Sequence, residues 1–493
     1  MRLVLTLAIV VKKGMIKFQN TYSKLPKHFF SEEKPDILNK TKLIAFNESF
    51  AKEVLGLNIG EQSNEDILNL FSGQNLPSDI TPIALAYAGH QFGHFVPQLG
   101  DGRAVLLGEI KTAKGSRYDI QLKGSGRTFY SRGGDGKSPI GPVIREYIVS
   151  EAMHHLGIPT TRALAAVSTG ETVYRDSPLP GGIFTRVASS HIRIGTFEFF
   201  ASRNDVAGLR TLADYTIERH FPEVKDVKDK YLKFLECVAQ RQSSLVANWM
   251  SVGFIHGVMN TDNMSISGET IDFGPCAFLD DFSFDKVFSS IDRHGRYSYS
   301  NQLEIAKWNL CRLAECLIPL IDSDEKKAIS AVESEMEDYF KFYQKNWLHK
   351  MNLKLGLFGD HEGDEEIINT WLMYLKEQKL DFTLSFQKLA EDEYRFEETT
   401  TYQKFKSLWL KRLSNQDEDL QTSKTQMRKV NPIFIARNHN VEKAIVAAVD
   451  EDYSIFNEMN ELLKNPYKDQ EDFSSFKLSP TSEEVVCATF CGT

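Results

Sequence analysis

Cysteine is scarce in this chain, six in 493 residues, and the six do not form a disulfide framework of the secreted kind. Positive charge is not in surplus either. The 58 Lys and Arg stand against 67 Asp and Glu, a formal net charge of −9, which argues against a general nucleic-acid binder with its excess of Lys and Arg on one face. Long apolar runs are missing as well. The run Leu3–Val11 is too short to span a bilayer, and its lysines follow it rather than precede it, unlike an export signal. Met15 begins what looks like a more natural start, so residues 1–14 are expected to be an upstream extension. Repeats, low-complexity segments and Gly/Ser linkers are absent, so the lobes should pack against each other. These absences point to a cytoplasmic protein, expected to be a monomer, with neither nucleic acid nor membrane as partner.

What is present is an ordinary globular composition, 42% hydrophobic and 25% charged, in a chain long enough for two or three lobes. Residues 15–83 mix short helical patterns, such as 47–57, with polar turns and look like an N-terminal extension. From 84 to 178 the character is strand-like. "AVLLGEI" (104–110) and "RYDIQL" (117–122) flank the turn "KTAKGS", and "LAAVST" and "TVYR" suggest two more strands. Between them, apolar residues at Val143, Ile144, Tyr147, Ile148, Met153 and Leu156 recur as on a helix. Residues 179–425 become mostly helical, with an apolar face running from Tyr231 to Met250 and further helices over 301–321, 326–350 and 365–377. A C-terminal extension, 426–493, holds a helical pattern over 441–464 and a Cys-containing tail. The expected fold is α+β and protein-kinase-like: a β-rich N-lobe and a helical C-lobe. A hairpin is expected inside "HGVMNTDNMSISGETIDFGP" (256–275).

Phosphoryl and nucleotidyl transfer need phosphates held, charge neutralised and an acceptor oriented. Lys123 ends the strand "YDIQLK", from which a lysine reaches nucleotide phosphates, and Glu146 lies on the next helix, where it can pair with Lys123. "LGDGRA" places Gly100 and Gly102 just before a strand, where backbone N–H groups can approach phosphate oxygens, with Arg103 beside them. Asn263 and Asp272 offer oxygen ligands on neighbouring loops, which suits Mg²⁺, and Asp272 begins "DFG". In kinases the catalytic aspartate comes two residues after the histidine. Here that position is Val258, and Asp262 is the nearest carboxylate. His256 reads as a brace for the loop. His90 and His94 have i, i+4 spacing, but Gly93 weakens a helix there and no third ligand is apparent, so both read as structural.

The stretches "AYAGHQFGHFVPQLGDGRA", "QLKGSGRTFYSRGGDGKSPIGPVIREYIVSEAM", "PGGIFTRVASSHIRIGTFEFF" and "HGVMNTDNMSISGETIDFGP" resemble the selenoprotein O family, YdiU in bacteria, over nearly all of 15–493. The resemblance implies a pseudokinase-like fold that binds ATP in a reversed orientation and transfers AMP to Ser, Thr or Tyr hydroxyls of proteins, with Mg²⁺ or Mn²⁺. By motif position it implies phosphate binding by Lys123, the helix glutamate Glu146, and nucleotide contacts at Gly100, Gly102, Arg103, Asp135, Gly136, Arg186 and Arg193. It further implies Asp262 as the base, with Asn263 and Asp272 as metal ligands. UMP transfer from UTP is a variant, because no base-reading residue is identifiable. A phosphotransferase and a silent nucleotide-binding scaffold are the alternatives. Members of the family carry selenocysteine near the C-terminus, where this chain has Cys491, and a redox-sensitive disulfide between Cys491 and Cys276 is expected, with Cys487 as the rival partner.

Overall fold

The computed structural model describes residues 16–57, 62–78, 80–391 and 395–490. The upstream stretch 1–14 and Cys491 lie outside the described residues. Strands come first: β1 (Phe30–Glu32), β2 (Lys42–Phe46), β3 (Ile83–Leu85), β4 (Gly89–Gln91), β5 (His94–Val96), β6 (Ala104–Lys111), β7 (Arg117–Lys123), β8 (Ser138–Pro139), β9 (Arg162–Tyr174) and β10 (Pro178–Ala188). Among the described residues they form an antiparallel sheet in the order β1-β3-β6-β7-β10-β9-β2, with β8 on β10, while β4 and β5 make a separate hairpin.

The register follows the alternation of side chains along each strand. On β7, Ile120 and Leu122 face a core that also holds Val105, Leu107, Leu164 and Val187. This core is closed by Phe50 and by Ile67, Leu70 and Phe71 of α1 (Asn64–Phe71). Asp119, Gln121 and Lys123 point the other way, towards α2 (Ile140–His155) and the helical part of the chain. Helix α2 starts after Pro139, carries Pro142 in its first turn, where no helical N–H is lost, and packs Val143, Ile144, Tyr147 and Ile148 into the second core.

The helical part follows as α3 (Ile194–Ala201), α4 (Val206–His220) and α5 (Lys230–Ser251), then the short pair β11 (Phe254–Ile255) and β12 (Ala277–Phe278). It continues with α6 (Gln302–Ile321), α7 (Glu325–Lys354), α8 (Asp364–Gln378), α9 (Phe382–Lys388), α10 (Thr400–Leu413), α11 (Leu420–Val430), α12 (Asn438–Val449) and α13 (Ser454–Leu462). Among the described residues no helix is long and apolar enough to cross a membrane.

Three expectations change. "LAAVST" and "TVYR" belong to one strand, β9, and β10 brings "PLPGGIFTRV" into the sheet beyond residue 178. The single pattern expected over 441–464 is two helices, α12 and α13, interrupted at 450–453. The hairpin expected after Asn263 does not form. Ile194 N donates to Met264 O (3.0 Å) and Ile266 N to Ile192 O (3.0 Å), while Thr161 N donates to Thr270 O (2.9 Å). Each arm finds its backbone partners in another segment, and that pairing draws the loop between the sheet's exit at 189–193 and the end of α2.

Candidate active site

The polar face of β7 organises the site. Its neighbour β10 sets Arg186 opposite Gln121, and Arg186 donates to Gln121 Oε1 through Nη2 (2.6 Å) and Nε (3.2 Å). Two residues on, Lys123 Nζ lies 2.5 Å from Glu146 Oε2 on α2 and 2.7 Å from Asp272 Oδ1. Arg186 Nη1 reaches the same Oδ1 at 2.7 Å, and Arg193 Nη1 reaches Asp272 Oδ2 at 2.8 Å. One carboxylate thus receives three cations. Burial works to raise the pKa of Asp272, but Arg186, Lys123 and Arg193 outweigh it and hold the group well below the usual carboxylate range. Asp272 sits at φ 63°, a left-handed conformation uncommon for a residue with a side chain.

Arg193 joins this cluster to the loop 256–263, because the same Nη1 donates to Asp262 O at 2.6 Å. The Asp262 side chain is buried. Its Oδ2 accepts a long hydrogen bond from Gln91 Nε2 (3.4 Å), and its Oδ1 has no donor. Burial pushes this carboxyl up to about 6, against the opposing pull of Arg193. A Cβ on Gly89 would come 2.8 Å from Asp262 Oδ1, so the carboxylate occupies space that only glycine leaves open.

His256 braces the loop as expected. Its Nε2 donates to Ile271 O (2.8 Å) while Val258 N donates to its Nδ1 (3.4 Å), which ties the turn at Val258 to the residue before Asp272. Asn263 Nδ2 donates to Val258 O (3.0 Å), which anchors the amide and leaves Oδ1 as an acceptor. Among the described residues no cluster of three or more His, Cys, Asp or Glu could hold a metal ion. The oxygen donors Asn263 Oδ1 and the Asp272 carboxylate, beside an unpartnered buried Asp262 oxygen, fit a hard divalent cation that keeps phosphate and water in its remaining positions.

The other expected residues divide. Arg103 is half-buried, and its Nη1 has no hydrogen-bond partner. Gly100 and Gly102 are used differently from the expectation. Gly100 N donates to Tyr87 O (3.1 Å) and Gly102 N to Gly100 O (2.8 Å), so both amides are spent inside the protein. A side chain on Gly100, at φ 70°, would strike the Tyr130 ring at 2.2 Å. Asp135 stands apart from the Asp272 cluster's bonds: Arg175 donates to it at 2.8 and 3.0 Å and Lys137 N at 3.0 Å, and these hold it below its ordinary range. Gly136 packs against the backbone of Gly126, whose N–H donates to Gly136 O (3.2 Å).

Cys276 is fully buried, and Thr489 of the tail donates to Pro275 O beside it (2.6 Å). Its expected partner, Cys491, lies outside the described residues, and Cys487 is exposed.

Sequence reasoning missed Asp101 and Gln121. Asp101 is 2% exposed, accepts from Leu85 N (3.1 Å) and Gln121 Nε2 (3.0 Å), and faces Arg193 at 3.8 Å. Burial raises its pKa despite the opposing pull of Arg193. The signal for Gln121 was present, since it shares the face of Lys123 two residues away on a strand. Asp101 had only the neighbouring glycines to mark it.

The sequence model of a family described as protein adenylyltransferase SelO matches residues 13–464. A curated protein from Rhizobium johnstonii, "Protein nucleotidyltransferase YdiU", is 50% identical over 487 residues, 97% of each chain. A protein of the same description from Brevibacillus brevis is 50% identical over 480 residues, again 97% of each. Another from Agrobacterium fabrum is 48% identical over 488 residues, 97% of this chain and 100% of its own.

Proposed function

Because this chain belongs to the protein adenylyltransferase SelO family, we propose that it transfers AMP from ATP to a Ser, Thr or Tyr hydroxyl of a protein and releases pyrophosphate. It does so in the cytoplasm, as a monomer, on a kinase-like two-lobed fold whose sheet and helical parts face each other across the Asp272 cluster. The observation that carries this reading is the pair of carboxylates joined by Arg193: Asp272 saturated by Lys123, Arg186 and Arg193, and Asp262 buried with one oxygen lacking a donor.

The three cations are poised to exchange a carboxylate for phosphate oxygens, with Arg103 as a fourth. They hold the β- and γ-phosphates and take up the charge of the leaving pyrophosphate. Asn263 and Asp272 would hold Mg²⁺ or Mn²⁺, which when bound neutralises the α-phosphate. Asp262 accepts the acceptor's hydroxyl proton as its oxygen bonds to the α-phosphorus and the bond to the β-phosphate oxygen breaks. A carboxyl raised to about 6 by burial is ionised at neutral pH and still a stronger base than an exposed aspartate. Val258, buried at the kinase base position, cannot do this.

The test uses ATP labelled separately at the α- and γ-phosphates and follows which label becomes protein-bound. Only α-label is expected. Only γ-label would make the chain a kinase, and neither label would make it a scaffold. The same assay with α-labelled UTP reads the nucleotide preference.

A further inference from the structure

The hairpin β4–β5 lies outside the main sheet, yet its first strand and turn touch the catalytic loop at three successive positions. His90 N donates to Thr261 Oγ1 (2.7 Å), Gln91 Nε2 to Asp262 Oδ2 (3.4 Å) and Phe92 N to Asn260 Oδ1 (3.0 Å). Gly89 leaves the room that Asp262 fills. A second partner stands behind each outer contact. Tyr297 Oη also donates to Asn260 Oδ1 (2.5 Å). Glu198 of α3 accepts from the Thr261 hydroxyl through Oε2 and pairs with His90 Nδ1 through Oε1. Thr261 is fully buried and Glu198 is 4% exposed. His90, half-buried, is set edge-on to Trp308 of α6 at 5.2 Å. His90, Thr261 and Glu198 thus close a ring of three hydrogen bonds, and Asp262 is the next residue.

We propose that this hairpin positions the catalytic loop for transfer, with His90 and Glu198 acting as a clasp on Thr261 and hence on Asp262. His90 is a positioning residue: it touches neither phosphate nor acceptor, and its effect passes through Thr261. The physical reason is the tolerance of the chemistry. Asp262 lies in a short turn, Thr261–Asn263, and a base must be held within about half an ångström of its working place. A turn of that length cannot hold itself so closely, whereas hydrogen bonds from a strand, a turn and a helix can. The nucleotide-binding cations sit on other elements, β7, β10 and the segment leading into α3. Loosening the clasp should therefore slow the chemical step and leave ATP binding alone. A network that served stability only would show no such separation.

The inference rests on the transferase reading, and the experiment keeps the two apart. In the full chain, His90→Leu and Thr261→Val remove the two ends of the clasp. The conservative changes His90→Asn, which keeps a donor near the Nδ1 position, and Thr261→Ser restore them. The expected result is a fall in kcat for α-label transfer of about ten- to a hundredfold in the first pair, ATP affinity within about twofold of the parent, and recovery of most of kcat in the second pair. Unchanged kcat in the first pair overturns the proposal. So does a fall matched by an equal loss of ATP affinity, or one that the conservative changes do not recover. If the parent chain transfers no label, the transferase reading fails on its own, and the clasp is judged by hydrogen exchange at the amides of 260–263. Faster exchange in His90→Leu and Thr261→Val, reversed in the conservative pair, supports it. Unchanged exchange sinks it.

Discussion

Two aspartates, the fully buried Asp364 in the helical part and the partly buried Asp272 beside the sheet, meet positive charge in opposite ways. Asp364, with a fully buried side chain, opens α8 and has each oxygen satisfied locally. Arg412 Nε reaches Oδ1 at 2.8 Å, while Asn352 Nδ2 (2.9 Å) and His361 N (2.8 Å) reach Oδ2. One cation meets one acid, and Arg412 spends Nη2 on the carbonyls of Phe358 and Gly359 and Nη1 on Gln416 Oε1. Asp272 keeps 19% exposure of its side chain and draws three cations, while Asp262 close by has an oxygen with no donor at all. Charge is matched in the first cluster and distributed unevenly in the second. Matched burial is what a fold needs; an excess of cations on one carboxylate beside an under-satisfied carboxylate is what a site awaiting an anionic ligand needs.

The sharpest way to break this comparison is to remove each aspartate's role in turn. Asp272→Ala should lower α-label transfer by about a thousandfold or more, and ATP should still bind, because Lys123, Arg186 and Arg193 remain. Transfer assays and calorimetric titration with ATP check this, and equal losses in both would make Asp272 a binding residue only. Arg412→Met should act in the other sense. It strands Asp364 without a counter-charge and should cost about 3–5 kcal/mol of unfolding free energy. Transfer per folded molecule should be unchanged, as read by denaturant unfolding alongside activity.

The two clusters also differ in how far the sequence revealed them. The pairing of Lys123 with Glu146 and the approach of Asp272 to Lys123 were legible because strand, helix and loop each leave a local pattern, and "DFG" after an asparagine is specific. The helices α5, α6 and α7 were legible from their apolar stripes. The pairing of the 264–272 loop was not, because its partners at 159–161 and 192–194 are distant in sequence and only the folded chain brings them together. For the same reason Arg412, Asn352 and Asp364 carried no signal. The glycines misled in part: Gly100 is needed for the packing of Tyr130, a demand that looks the same in sequence as room for a phosphate.

Gly89 offers a gentler test of whether Asp262 is held by space as well as by hydrogen bonds. A methyl group there would stand 2.8 Å from Asp262 Oδ1 and 3.0 Å from its Cβ, so the carboxylate must move. Gly89→Ala is expected to lower kcat by about tenfold or more, with a smaller effect on ATP affinity, since of Lys123, Arg186 and Arg193 only Arg193 touches the displaced residue, and it does so at the backbone O of Asp262. An unchanged kcat would mean that the loop yields without penalty.

His191 tests the comparison at its smallest scale, because it too keeps a buried polar atom without a partner, Nε2. It is fully buried, and Asp119 of β7 accepts from both its N–H (3.0 Å) and Nδ1 (3.1 Å), while Arg219 of α4 shares Asp119 at 2.6 Å. Burial first, then Arg186 and Arg193, hold the imidazole down to about 4, against the opposing pull of Asp119. The ring is therefore neutral, and a neutral nitrogen without a partner costs far less than an unpaired carboxylate oxygen. The folded chain refuses a proton that the unfolded chain accepts below about 6.5, so stability is complete at pH 7 and is lost as the pH falls towards 4. By pH 5 this one ring should account for about 2 kcal/mol. His191→Asn keeps a donor for Asp119 and removes the titration, so its stability should drop by about 2 kcal/mol less than that of the parent chain between pH 7 and pH 5, as read by denaturant unfolding at each pH. Asp119, held below the ordinary carboxylate range by Arg219 and His191 against the effect of burial, titrates in a lower window and does not blur the reading. Identical pH dependence in the two chains would mean that the buried ring is charged, and then an unpaired buried atom would distinguish the chemical site from its supports far less well than Asp262 and Asp364 suggest.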